Sequence, residues 1–516
     1  MKKTHLFLIW FIALLPILLL RDFTPSNELR YLNIVDEALQ NGNIFTFTNQ
    51  GEIYADKPPL HFWLMMIGKM ILGAHRMWYD AMLSFIPALV IIATMNKWIR
   101  RQKDTDDTSA TLMLMTTGLF IGVGIIVRMD MLMNMFIVLS LYAFYQMYQG
   151  EALKRNSLLF PVFIFLALFS KGPLGILIPF VSTLVFLIYK KKLSDFPRYW
   201  GWKSIVIILS GCLVWFTGVY LEGGKEYIYN LLVRQTIGRG INAFHHKEPF
   251  YYYAITSGYA LAPWSLLSIG LLVAGLCQKK IVSDLEQFFA TVVLSSLLLL
   301  SVISAKLAIY SLPVIPFLIG LTILLLPKFH PADRWISLSL AIPAIVLILS
   351  LPAVICLSKT DTLQFLGTTL IFAAAGILSL TGLVTICQLC KRAGVTGAIR
   401  GMSLGILLSL FVAGWSLPQL NSYLGWKELC AKAKELSGKY RVSDYRVYHI
   451  SRAENMDVYL GKDVIEAEEE DILRPPTEGQ LILLRTKEIY TDSKIRRAIR
   501  NKEQYRIGNY TIVLFK

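Results

Sequence analysis

The sequence predicts a polytopic α-helical membrane protein of about thirteen transmembrane helices, followed by a small soluble α/β domain. Three observations predict this. Apolar runs of about twenty residues, the length a span requires, recur along most of the chain. Of the 516 residues, 55% are hydrophobic and 17% charged, where soluble domains carry about a quarter charged residues. Basic residues also gather at every second junction between apolar runs, including Lys97/Arg100/Arg101, Lys154-Arg155, Lys190-Lys191-Lys192, Lys279-Lys280 and Lys391-Arg392.

In order, the spans are expected near 4–20, 78–99, 109–127, 131–148, 157–170, 173–190, 204–221, 252–276, 285–303, 307–326, 335–357, 363–387 and 401–417. The first run could be a signal peptide. Arg21-Asp22-Phe23 follows it instead of a small-residue cleavage site, so it reads as a retained span. The alternate short junctions carry single basic residues: Arg128, Lys171, Lys306 and Lys359. This asymmetry places the N-terminus in the cytoplasm and, with an odd number of spans, the C-terminus outside. The net charge of +16 is thereby a topology signal, not a nucleic-acid footprint. The run 62–72 is too short to span and reads as an interfacial helix.

The transmembrane unit is expected over 1–418, with outer-face segments at 21–77 and 222–251, and the soluble domain over 419–516. In the first outer segment, the spacing of apolar residues over 27–39 predicts an amphipathic helix. A polar, β-prone stretch follows over 44–54, and then Asp56-Lys57-Pro58-Pro59 opens the interfacial helix. Proline is tolerated in a first helical turn, where its missing N–H would be unpaired anyway. In the tail, helices are expected over 426–436 and 493–501 and strands over 446–450, 481–484 and 511–515, with no nucleotide loop and no metal motif. Cys387-x-x-Cys390 lies at a cytoplasmic helix end with no second pair nearby, and reads as two small apolar residues. No internal repeat is evident, which weighs against a transporter built from duplicated halves.

Charges at membrane depth are costly and mark functional sites by default. Arg128-Met129-Asp130, Lys171-Gly172-Pro173 and Ser304-Ala305-Lys306 stand at outer span ends. Singly, each fits a helix-end side chain snorkelling to water. Together with Glu28, Arg30, Asp56 and Lys57 they form a set of charges on one membrane face, and that set reads as a site for an anionic ligand.

The ordered motifs Asn27-Glu28-x-Arg30-Tyr31, Asp56-Lys57-Pro58-Pro59-Leu60-x-x-Trp63, Arg128-x-Asp130-Met131-Leu132, Ser170-Lys171-Gly172-Pro173-Leu174-Gly175, His245-His246-x-Glu248-Pro249-Phe250-x-Tyr252-Tyr253, Ala262-Pro263-Trp264-Ser265 and Ser304-x-Lys306-x-x-x-Tyr310-x-Leu312-Pro313 resemble the aminoarabinose–lipid A transferase and protein mannosyltransferase family. These are integral-membrane glycosyltransferases of the GT-C class. The resemblance covers about residues 1–330 and rests on topology beyond. It implies transfer of a sugar from a polyprenyl-phosphate donor to a lipid or glycan acceptor on the outer face of a bacterial inner membrane, with no nucleotide cofactor. It places Lys57 on the donor phosphate, with Arg30, Arg128, Lys171, Lys306 and Tyr310 as further phosphate contacts. It also implies a structural zinc ion held by Asp56, His245 and His246.

One departure bears on catalysis. Where the family has an acidic pair after the first span, this chain has Asn27-Glu28, and Asn27 cannot take a proton. A hydroxyl acceptor needs a general base. Glu28 or Asp130 takes that role, or the acceptor is already anionic and needs none, or the protein is impaired. Two other readings stay open: a protein O-mannosyltransferase-like enzyme, and a lipid transporter.

Overall fold

A computed structural model describes residues 3–102, 105–233, 247–330, 333–391, 394–442, 444–473 and 480–515. Among these residues, 9 helices are long and apolar enough to cross a membrane, from Met77–Ile99 to Gly394–Gly414. The pair Asp107–Met115 and Gly118–Ile125, bent by 60°, makes a tenth. The other expected spans are shorter helices: Thr4–Leu20, Leu174–Tyr189 and Ser265–Cys277.

The two interrupted spans have local causes. In the run expected over 109–127, the Thr116 and Thr117 hydroxyls donate back to the carbonyls of Leu112 and Met113 at 2.6 and 2.8 Å, a competition that bends helices. In the run expected over 252–276, Pro263 has no N–H to continue the ladder, and the helix divides into Tyr252–Ala260 and Ser265–Cys277. The two breaks meet, with Gly118 N–H donating to the Ala262 carbonyl at 2.8 Å. Between the spans the core is aromatic: Trp98 lies against Tyr142, Tyr145, Phe288, Phe289 and Phe317.

The first outer segment is folded tightly. Its helix, Glu28–Asn41, buries Leu29, Leu32, Val35 and Ala38 along one stripe, the spacing of an amphipathic helix. It ends at Gly42, whose left-handed backbone (φ 72°) sends its N–H back to the Ala38 carbonyl. Strands β1 (Thr48–Asn49) and β2 (Glu52–Ile53) then form a hairpin. Its turn residues Gln50 and Gly51 both take positive φ, as a tight hairpin turn matching strand twist requires. Glu37 holds the hairpin to the helix, accepting from the Thr48 hydroxyl and from Gln50 N–H at 2.5 Å. The interfacial helix is Leu60–Leu72, entered through Pro59 and ended by Gly73. Its Ile67, Met70 and Ile71 are exposed, the apolar face expected of a helix lying in the interface.

The tail is α/β. Its five strands, β3 (Tyr445–Tyr448), β4 (Val464–Glu466), β5 (Gln480–Arg485), β6 (Glu503–Ile507) and β7 (Tyr510–Phe515), lie in the order β4-β3-β5-β7-β6. The β3 strand is parallel to both neighbours, and β7 is antiparallel to both of its own. The tail does not keep its core to itself. One hydrophobic cluster runs from Leu29, Leu32 and Val35 of the outer helix to Trp426, Leu429, Met456 and Leu483 of the tail. Asp22, just after the first helix, stitches the same seam. It accepts from Tyr459 Oη at 2.6 Å and from Lys427 N–H at 3.0 Å.

Candidate functional site

Of the charged side chains singled out above, Arg128, Asp130 and Lys171 meet where two span ends pack together. Asp130 opens the helix Met129–Tyr148 and is 1% exposed. Arg128 Nε donates to its Oδ2 at 3.1 Å, and Lys171 Nζ donates to Oδ1. Lys171 closes the helix Leu153–Lys171, which packs against the Asp130 helix, so two span ends are joined through one carboxylate. The Lys171 ammonium also lies 4.4 Å from the Tyr310 ring centroid, a cation–π distance. Tyr310 stands in the 3-10 turn Ala308–Val314 that opens a further span. Helical propensity cannot bring these residues together; span packing does.

Arg30 approaches from the outer helix. Its Nη2 donates to Asn27 Oδ1 at 3.0 Å, and its guanidinium carbon lies 5.9 and 5.8 Å from the Tyr31 and Tyr54 ring centroids. The half-buried Asp56-Lys57 turn follows two residues after Tyr54. Asp56 interacts electrostatically with Tyr31, as do Arg30, Arg128 and Asp130, so Tyr31 is the common neighbour of the set.

Glu28, one of the two expected candidates for a general base, is held by several donors. It is 1% exposed, and Arg21 grips both its oxygens at 2.7 Å. Those oxygens also accept from Thr24 N–H and Val127 N–H, each at 2.7 Å. Burial pushes its carboxyl up, but the Arg21 guanidinium and these N–H donors hold it below the ordinary carboxylate value. A carboxylate so saturated is a clamp. It fixes the start of the outer helix to the segment that presents Arg128.

Lys306, expected among the phosphate contacts, has a protein partner. It is 4% exposed and donates to the Glu248 carbonyl at 2.9 Å, tying its short loop to the second outer segment. Of the residues implied for zinc, His245 and His246 lie outside the described residues, and among the described residues no three potential metal ligands come together.

Several residues of the site escape a reading by motif. Glu222 accepts from the backbone N–H groups of Ile44, Phe45 and Thr46 at 2.6–2.7 Å. Tyr227 accepts from Phe47 N–H at 3.1 Å and donates to the Tyr54 carbonyl at 2.8 Å. Both belong to the long helix Trp202–Tyr229, and together they seat the strand segment that leads to Lys57. His61 is fully buried, and neither ring nitrogen has a hydrogen-bond partner among the described residues. The sequence signal for Arg21 is its position beside the first span, and for Glu222 its charge at a span end.

The fold defines a class: a polytopic helical membrane protein with a small sheet domain after its last span. A family model described as dolichyl-phosphate-mannose-protein mannosyltransferase matches residues 56–216. The chain is 26% identical over 321 residues to an uncharacterized protein of Aquifex aeolicus, covering 59% of this chain and 61% of that one. It is 25% identical over 300 residues to an undecaprenyl phosphate-alpha-4-amino-4-deoxy-L-arabinose arabinosyl transferase of Aeromonas salmonicida, covering 57% and 54%. It thus spans about half the length of the curated relatives it matches. The crystal structure of ArnT from Cupriavidus metallidurans bound to undecaprenyl phosphate superposes with a TM-score of 0.75 over 99% of this chain and 96% of that one, at 16% identity. The resemblance read from the motifs therefore holds: the chain is similar to the aminoarabinose transferases and protein mannosyltransferases.

Proposed function

We infer that this chain is a membrane glycosyltransferase that moves a sugar from a polyprenyl-phosphate donor to an envelope glycolipid of the lipid A type. The observation that carries the reading is the gathering of Arg30, Arg128, Lys171 and Tyr310 around buried Asp130. In the reaction, an acceptor oxygen attacks the anomeric carbon, the bond from that carbon to the donor phosphate oxygen breaks, and polyprenyl phosphate leaves with the electron pair. Negative charge grows on the leaving phosphate. Preformed cations in a site with little water stabilise such charge without reorganising. Lys57 and Arg30 serve that phosphate, and the forked guanidinium of Arg30 suits two of its oxygens. Asp130 orients Lys171 and Arg128.

Two features favour an acceptor that is already anionic. Asn27 cannot act as a base, and both oxygens of Glu28 are taken. An anionic phosphate acceptor leaves no proton to remove. The match to the mannosyltransferase model supports a second reading, transfer of a hexose to protein, with Asp130 as base. A lipid transporter fits less well, because the charges collect at span ends and not along a path across the bilayer. The site is placed on the outer face of the bacterial inner membrane, with the N-terminus in the cytoplasm, on the distribution of basic residues. A structural zinc ion on Asp56, His245 and His246 would pin the two outer segments together; metal analysis of the purified protein and of His245→Ala tests it, and equal zinc content in the two would overturn it.

Mass spectrometry of lipid A, surface glycans and glycoproteins from cells with and without this protein identifies the acceptor. A mass difference confined to lipid A is expected. A difference confined to glycoproteins would replace the lipid reading with the protein one, and no difference in any fraction would overturn the transferase reading.

A further inference from the structure

Asn27 occupies the N-cap of the outer helix, yet its side chain makes no cap hydrogen bond. Asparagine is among the best N-caps. Here the amide oxygen accepts instead from Arg30 Nη2 at 3.0 Å. The neighbouring cations are held differently. Arg21 leans on Glu28, and both Arg128 and Lys171 lean on Asp130. Among the described residues Arg30 forms no ion pair, and its Nε is buried without a hydrogen-bond partner. The Tyr31 and Tyr54 rings flank the guanidinium.

We propose that Asn27 is a positioning residue that aims Arg30 with a neutral acceptor, so that no carboxylate compensates the guanidinium before a lipid-linked phosphate arrives. The inference deepens the transferase reading and rests on it. A carboxylate at the same 3.0 Å would form a competing ion pair, and the incoming phosphate would have to displace it. The amide fixes the same geometry without that competition. Buried N–H donors left open gain most when a charged oxygen arrives, and Arg30 Nε is such a donor. The phosphate can be that of the donor or of the acceptor, since both present the same chemistry.

The test uses the full chain in detergent, as wild type, Asn27→Asp and Asn27→Ala. Thermal stabilisation is titrated with undecaprenyl phosphate and with undecaprenol, and separately with lipid A and with dephosphorylated lipid A. Asn27→Asp is expected to weaken binding of a phosphorylated lipid about tenfold or more, about 1.4 kcal/mol, while leaving its unphosphorylated counterpart unchanged. Its melting temperature without lipid should equal or exceed that of wild type. Asn27→Ala should weaken phosphate binding less than Asn27→Asp does. The arm in which the phosphate effect appears assigns the seat to donor or acceptor. Equal phosphate affinity in wild type and Asn27→Asp would overturn the inference and leave the transferase reading standing; so would equal losses in the two variants, since position and not neutrality would then matter. Failure of the wild type to bind either phosphorylated lipid would remove both.

Discussion

Arg21 holds both carboxylate oxygens of Glu28 at 2.7 Å, with the Glu28 side chain 2% exposed. The pair joins the first span, the outer helix and, through Val127 N–H, the segment that presents Arg128. Removing one partner of a buried pair leaves the other charge uncompensated, at a cost of about 3–5 kcal/mol. Glu28→Ala and Arg21→Ala should therefore both lower the melting temperature of the purified protein by a similar amount. A Glu28→Ala protein as stable as wild type but without transfer activity would restore Glu28 as a base.

Glu28 also predicts an acid limit. Its carboxyl sits lower in the folded protein than the ordinary value of 4.5. The stability it contributes is thus fully present above about pH 4.5 and is lost as pH falls through the folded value. Asp36 adds to the same limb. Burial raises its carboxyl, but His75 and Lys69 hold it below the ordinary 3.8. Melting temperatures of wild type and Glu28→Gln, measured across pH, should converge at the lowest pH, because protonation has by then removed the same interaction from both.

His61 acts in a higher window. Burial lowers its pKa from 6.5 to about 4, so the unfolded chain takes up a proton that the folded chain refuses. Stability is full above pH 6.5 and declines between 6.5 and about 4. The span of the decline is about 3 kcal/mol, at 1.36 kcal/mol per pKa unit. His61→Phe should flatten the stability profile across that window while leaving stability at pH 8 equal or higher. A profile as steep as that of wild type would show that another group carries this limb.

Lys171 and Asp130 should behave as a coupled unit. Asp130→Asn strands Lys171 and Arg128, and Lys171→Met removes half the support of Asp130. A double-mutant cycle on thermal stability should give a coupling of about 1–3 kcal/mol. Additive effects would mean the two charges are independent in solution. Lys57→Ala belongs to a different class. As a half-buried turn residue it should leave insertion and melting temperature nearly unchanged while transfer falls below detection. Retained transfer would remove Lys57 from the phosphate site.

The tail should act on the site through the outer helix. Tyr459→Phe removes one hydrogen bond to Asp22, costing about 1 kcal/mol. Truncation before Trp426 uncovers Leu29, Leu32 and Val35. Hydrogen exchange across 28–41 should rise sharply in the truncated chain and slightly in Tyr459→Phe. Unchanged protection after truncation would show that the tail caps the site without supporting it.

Much of this protein could be read along the chain. The many apolar helices follow from local hydropathy, a property of short windows. The amphipathic outer helix and the interfacial helix were legible for the same reason, since apolar spacing is a local signal. So was the set of candidate charges, because an isolated Arg128, Lys171 or Lys306 in an apolar context stands out whatever it touches.

Roles were not legible, because a role depends on the partner and the partner is remote in sequence. Glu28 reads along the chain as a spare carboxylate, and only the fold brings Arg21 and Val127 N–H onto its oxygens. Lys306 stands out along the chain, but only the fold supplies the Glu248 carbonyl as its partner. Glu222 and Tyr227 carry no motif, yet they seat the strand that leads to Lys57 across more than 150 residues of chain. The sequence by itself determined a membrane bundle with charges on one face and a sheet domain behind it. Tertiary structure alone decided which of those charges meet one another, as Arg128 and Lys171 meet Asp130, because a buried charge is assigned by whatever packing places within about 3 Å of it.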